Sequence, residues 1–149
     1  MQQAISLQRF FPFLLSRVAN TVSNGTAQLV EERFGLALRE ARLMVVLGAL
    51  GQATAAELGA VTVMDKAPVS RALSNLVAAD LISRTPDPLD ARRLELQLTE
   101  KGIEVHAKLV PELLRREKQI LSVLSTTERQ QLVTLLSKLG REFAAFSQA

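Results

Sequence analysis

Two clusters of side chains in this sequence have the types and spacing to do chemistry. Both suit gripping a polyanion better than making or breaking bonds. Lys66, Ala67, Ser70, Arg71 and Ser74 recur at three- and four-residue intervals, which places them on one face of a helix. Short side chains and a guanidinium on a solvent face are what a helix laid in a major groove uses to read base edges. Arg71 suits a guanine or a phosphate. Ser70, Ser74 and the neighbouring Asn75 are equally compatible with plain solvated surface. The second cluster is Arg84, Asp90, Arg92 and Arg93, set around Pro86-Asp87-Pro88-Leu89-Asp90. Two prolines stiffen such a tip. Arg92 has the reach to enter a narrow A·T-rich minor groove, where the negative potential is enhanced. Asp90, two residues earlier and on the same side of a ribbon, is placed to hold that guanidinium. The plainer alternative is a surface ion pair worth ~0–1 kcal/mol. Arg93 faces the other side of the ribbon, and Arg84 suits a contact at the ribbon's base or with a phosphate.

Bond-making chemistry finds little support. The chain has no Cys, which excludes disulfides, thiolate zinc sites, iron–sulfur clusters and thiol-based redox sensing. His106 is the only histidine, and no Ser or Asp partner stands near it in the sequence. There is no Gly-rich phosphate loop, no paired metal ligands and no nucleophile elbow. The expectation is no metal, no cofactor and no enzyme. With no Trp or Tyr, a surface built on base stacking is also disfavoured.

The elements that must carry these clusters follow from periodicity. The 149 residues make one domain, or one compact unit with appended helices. A hydrophobic content of 48% against 22% charged residues is that of a globular protein. No apolar run reaches the roughly 18 residues of a membrane span, and Phe10 to Leu15 lacks a cleavage pattern; the expected compartment is the cytoplasm. About Leu7 to Phe34 reads as a helix, with Pro12 weakening its start. Arg39 to Gly51 reads as a second helix. Thr54-Ala55-Ala56-Glu57 is a capping box that opens a third, to Val61. Asp65 is placed to cap a fourth, Lys66 to Ala79, with Val69, Ala72, Leu73, Leu76 and Val77 inward. Gly59, Val63 and Val69 have the spacing of a helix-turn-helix core. Leu81 to Thr85 and Leu94 to Leu98 read as two strands of a hairpin. A long helix from Thr99 to about Leu124 should kink or break at Pro111. Ser125-Thr126-Thr127-Glu128 caps a last helix to about Phe146. The net charge is +3. Residues 60–100 carry five basic and six acidic side chains, so nucleic-acid binding would rest on placed charges and not on bulk charge.

A helix-turn-helix followed by a two-strand ribbon is a winged helix, and here the residues resemble the MarR family of winged-helix transcriptional regulators. The resemblance lies in Arg84-Thr85-Pro86-Asp87-Pro88-Leu89-Asp90-Ala91-Arg92 of the wing and in Leu98-Thr99-Glu100-Lys101-Gly102 after it. It extends to Val69-Ser70-Arg71-Ala72-Leu73 and to Phe34-Gly35-Leu36 with Arg42 to Leu47. Ala37 stands where the family often has Thr or Ser and Asp80 where Gly is common, while Val63 stands at a helix-turn-helix turn position that is often Gly. The resemblance implies a mainly α protein of six helices with a two- or three-stranded wing. It implies a winged helix over 36–102, and dimerisation helices in 1–35 and 103–149.

It further implies a homodimeric repressor on a pseudo-palindromic duplex, released by a small, often anionic aromatic or phenolic ligand. The dimer would bury Ile5, Leu7, Phe10 and Leu14 with Leu132, Leu136, Leu139, Phe143 and Phe146. Phe13, Arg17, Arg42 and His106 are the candidates to line a ligand cleft, with Arg17 or His106 meeting a carboxylate. Packing within one chain, a structural role for Arg42 and an ordinary interior His106 are the simpler readings. A winged helix used only for protein contact is the competing class, because fold alone does not fix function.

Overall fold

The computed structural model describes residues 5–86, 90 and 93–146. Six helices and a small sheet follow in the order α1 Phe11–Phe34, α2 Leu38–Leu50, β1 Gln52–Ala53, α3 Ala55–Thr62, α4 Lys66–Ala78, β2 Ile82–Pro86, β3 Leu94–Leu98, α5 Glu100–Ile120 and α6 Thr126–Phe146. A 3-10 turn, Leu121–Val123, separates the last two helices. The chain divides into two compact units at Leu113/Leu114. The first unit holds the sheet and the core. The second holds the end of α5, the 3-10 turn and α6.

Helix α1 starts at Phe11, four residues after the expected Leu7. Pro12 explains the shift: it sits in the first turn, where its missing N–H costs nothing, and upstream extension would set its ring against a carbonyl. Gly35, at φ 65°, ends the helix in the left-handed region, which glycine enters without penalty. Helix α2 has Ala37 at its N-cap with no side-chain oxygen. Half a capping box remains, as the Ala37 N–H donates to Glu40 Oε2 at 2.8 Å. The complete boxes stand where the sequence puts them. The Thr54 N–H donates to Glu57 Oε2 (2.7 Å) and the Glu57 N–H to Thr54 Oγ1 (3.3 Å). Ser125 and Glu128 exchange the same two bonds at the start of α6. Asp65 occupies the N-cap of α4 but makes no side-chain cap bond.

The sheet has order β1-β3-β2, all antiparallel. The hairpin pairs Ile82 with Leu98, Arg84 with Leu96 and Pro86 with Leu94. The two-residue β1 adds Gln52 and Ala53 against Gln97 and Leu96, so the wing has a third strand. Val69, Ala72, Leu73 and Leu76 of α4 are buried with Leu43, Met44 and Leu47 of α2, Leu58 of α3 and Ile82 and Leu96 of the sheet. Val77 is only half-buried. Helix α5 runs through Pro111 without interruption, and the break comes at Leu121. Pro111 and Ala107 are both exposed, so water can satisfy the carbonyl that the proline leaves without a donor.

Candidate nucleic-acid interface

The interface is built on α3, α4 and the β2–β3 ribbon. Helix α3 is opened by the Thr54–Glu57 box and closed at Val63, which has φ 52° and ψ 44°. That residue makes the tight corner from which α4 departs, with the Met64 N–H donating to the Gly59 carbonyl at 3.1 Å. A methyl group at Gly59 would make ordinary contact with Val69, so the helix crossing needs a small residue there and would tolerate alanine. With its apolar side buried, α4 presents Lys66, Ala67, Ser70, Arg71 and Ser74 to solvent. Ser74 Oγ donates to the Ser70 carbonyl (2.9 Å), and Arg84 Nη2 of β2 reaches Ser74 Oγ at 3.5 Å. The two sequence clusters therefore meet. Asn75 is different: its amide donates to Glu40 Oε1 at 2.8 Å, which makes it more than solvated surface.

At the wing, the Arg93 N–H donates to the Asp90 carbonyl (2.8 Å), and Arg93 Nη2 pairs with Glu57 Oε1 at 3.0 Å. One glutamate thus caps α3 and fastens the base of the wing. The Thr54 N–H and hydroxyl hold its carboxyl below the usual glutamate range, and Arg93 adds to the effect. Glu128 is lowered in the same way by Ser125. Arg92, and with it the expected Asp90–Arg92 pairing, lies outside the described residues.

Between α3, α4 and the wing lies a cleft of about 650 Å³, lined by Ala55, Ala56 and Gly59 on one side and by Ser70, Leu73 and Arg84 among others on the opposite side. The run of small residues in α3 leaves this space open. None of the four expected ligand residues lines it. Phe13 and Arg17 lie on the exposed first turns of α1. Arg42 Nη2 donates to Ser23 Oγ at 3.2 Å, a link between α2 and α1. The His106 imidazole of α5 lies against Gly48 of α2, where a methyl group would collide with it. Among the described residues no group of three His, Asp or Glu side chains could hold a metal ion, and no helix is long and apolar enough to cross a membrane.

Comparison with known proteins gives a consistent family. Residues 34–93 match the sequence profile of the MarR family. The HTH-type transcriptional repressor NicR of Pseudomonas putida is 29% identical over 89 residues, 60% of this chain and 56% of that protein. The chain spans about half the length of the curated relatives it matches. The solved MarR/EmrR family regulator of Acinetobacter sp. ADP1 is 26% identical and superposes with a TM-score of 0.88, covering 95% of this chain and 99% of that one. MepR of S. aureus, solved as a complex with DNA, shares the fold at a TM-score of 0.82 and 23% identity, over 90% of this chain and 98% of that one. The profile match falls on the segment that builds the three-helix core and the wing. Together with the fold, it makes this chain similar to the MarR family of winged-helix transcriptional regulators.

Proposed function

We propose that the chain is a homodimeric, sequence-specific DNA-binding repressor. The observation that carries this reading is the exposed polar face of α4, with Lys66, Ser70, Arg71 and Ser74 on a helix whose opposite face is buried and Arg84 joined to Ser74. A helix held in this way enters a major groove with its polar face toward the base edges. Arg84, Asp90, Arg92 and Arg93 then belong to the wing's approach to the flanking minor groove and backbone. Glu57 holds Arg93 at the base of the wing, which makes Arg93 the weakest of these four as a direct contact.

The dimer would form through the terminal helices. Phe11, Phe13, Leu14 and Leu15 of α1 are exposed, as are Leu132, Leu135, Leu136 and Phe143 of α6. Apolar surface of this kind marks an interaction site. Two-fold symmetry would set two α4 helices roughly 34 Å apart on a pseudo-palindromic site. A small anionic ligand would release the DNA by preferring a dimer with another helix spacing. Arg17, Arg42, His106 and Phe13 remain its proposed contacts, with Arg42 already engaged by Ser23.

Selection from a pool of random duplex DNA tests the reading. An enriched inverted repeat, lost in Arg71→Ala and Arg92→Ala, is the expected result. A folded dimer that enriches nothing at low salt would favour a protein-contact module instead.

A further inference from the structure

Among the described residues Glu40 is the only buried polar or charged side chain, at 8% exposure. Burying a carboxylate is costly unless donors surround it, and capping α2 does not demand burial. Glu57 and Glu128 cap α3 and α6 with the same geometry while exposed. What sets Glu40 apart is its second oxygen. Oε2 accepts from the Ala37 N–H at the start of α2, and Oε1 accepts from Asn75 Nδ2 of α4, both at 2.8 Å.

Asn75 stands one turn after Arg71, on the same side of α4. The buried side of that helix is Val69, Ala72, Leu73 and Leu76, an apolar ridge whose packing is non-directional. A hydrogen bond is directional and weakens steeply off axis. The Glu40–Asn75 bond therefore adds to the ridge, and to the long Arg84–Ser74 contact, a short directional restraint on the rotation of α4 about its own axis. We propose that Glu40 is a positioning residue for DNA recognition: through Asn75 it sets the roll of α4 and so the aim of Arg71 and Ser70. The inference rests on the DNA-binding reading above and adds to it a residue on α2, away from the polar face of α4.

The test uses the chain in its solution state and the duplex that the wild type enriches from a random pool, with unenriched duplex as the non-specific reference. If the wild type enriches nothing, the DNA-binding reading fails first and takes this inference with it. Where enrichment is found, Asn75→Ala and Glu40→Ala should each lower the affinity ratio between the two duplexes by about tenfold, the worth of one well-aimed base contact. Affinity for unenriched DNA should stay within about twofold, because phosphate contacts tolerate a small roll. The double variant should lose no more than either single one. Glu40→Gln should restore the ratio: its amide oxygen accepts from Ala37 and its NH2 group donates to a turned Asn75 amide. Helix content and sedimentation identify folded variants. If Glu40→Ala does not fold, Ala37→Ser in the same chain returns a cap to α2. An unchanged ratio in Asn75→Ala overturns the proposal. A ratio lost in Asn75→Ala but kept in Glu40→Ala also overturns it, since Asn75 would then be reading DNA itself.

Discussion

At the scale of single residues, two positions where Gly would be expected, Val63 and Asp80, are those where the backbone is under most demand. Among the described residues Val63 and Asp80 are the two non-glycine residues with positive φ, 52° and 57°. A β-branched residue is badly suited to that region, and Val63 is 91% exposed, so its side chain offers little burial in return. Val63→Asn should raise stability by ~0.5–1 kcal/mol in urea unfolding, because asparagine enters the left-handed region more readily. An equal or lower midpoint would show that the turn relaxes around valine. Gly102 makes the opposite case. A methyl group there would overlap the Leu81 carbonyl, which is backbone and has nowhere to go. Gly102→Ala should cost ~2 kcal/mol or more, read as a loss of several degrees in thermal unfolding. Gly48→Ala should also destabilise, by pressing on His106, but His106→Ala in the same chain should recover most of the loss. No such recovery would mean that the imidazole is not the obstacle.

At the scale of elements, what was legible in the sequence was local. Thr54 to Glu57 and Ser125 to Glu128 announce helix starts because both partners of each bond lie within four residues. The inward face of α4 follows from spacing alone, and the hairpin from alternation and prolines. The start of α1 and the break expected at Pro111 were misplaced, the first because the Pro12 ring would meet a carbonyl in a longer helix and the second because the exposed Ala107 carbonyl can turn to water. The cleft, the Glu57–Arg93 pair and the Glu40–Asn75 bond were not legible. The two bonds join residues 35 and 36 apart, the cleft draws on α3, α4 and both wing strands, and no short window holds any of them. The capping boxes have a pH consequence. The Thr54 donors lower Glu57 and the Ser125 donors lower Glu128. A depressed folded-state pKa lends stability that is fully present above the unfolded value of ~4.3 and drains as pH falls through the folded one. Carbon NMR titration should find both carboxyls below the ordinary glutamate range. Thr54→Ala should return Glu57 only part of the way, since the backbone N–H at residue 54 still donates to it, and a titration unmoved by Thr54→Ala would refute the hydroxyl's share.

At the scale of the molecule, the charge balance and the exposed helices set the behaviour in solution. Residues 60–100 carry no net positive charge, so binding to unenriched DNA should be weak at physiological salt, and the salt slope should report a few placed contacts at about −0.9 per phosphate neutralised. Sedimentation at micromolar concentration should give twice the 16.3 kDa chain mass, and Leu136→Glu in α6 should shift it toward monomer. A wild-type monomer would remove the paired half-sites from the proposal. One junction governs how such a machine moves. The end of α4 and the start of α5 are laced together: the Thr99 N–H donates to the Leu81 carbonyl, Thr99 Oγ1 to that of Asp80 and Lys101 Nζ to that of Ala79, at 2.7–3.1 Å. With no space for a methyl group at Gly102, the end of α4 and the start of α5 are held in close contact. A change of tilt at the start of α5 would therefore be felt first at the end of α4, on the side away from its polar face.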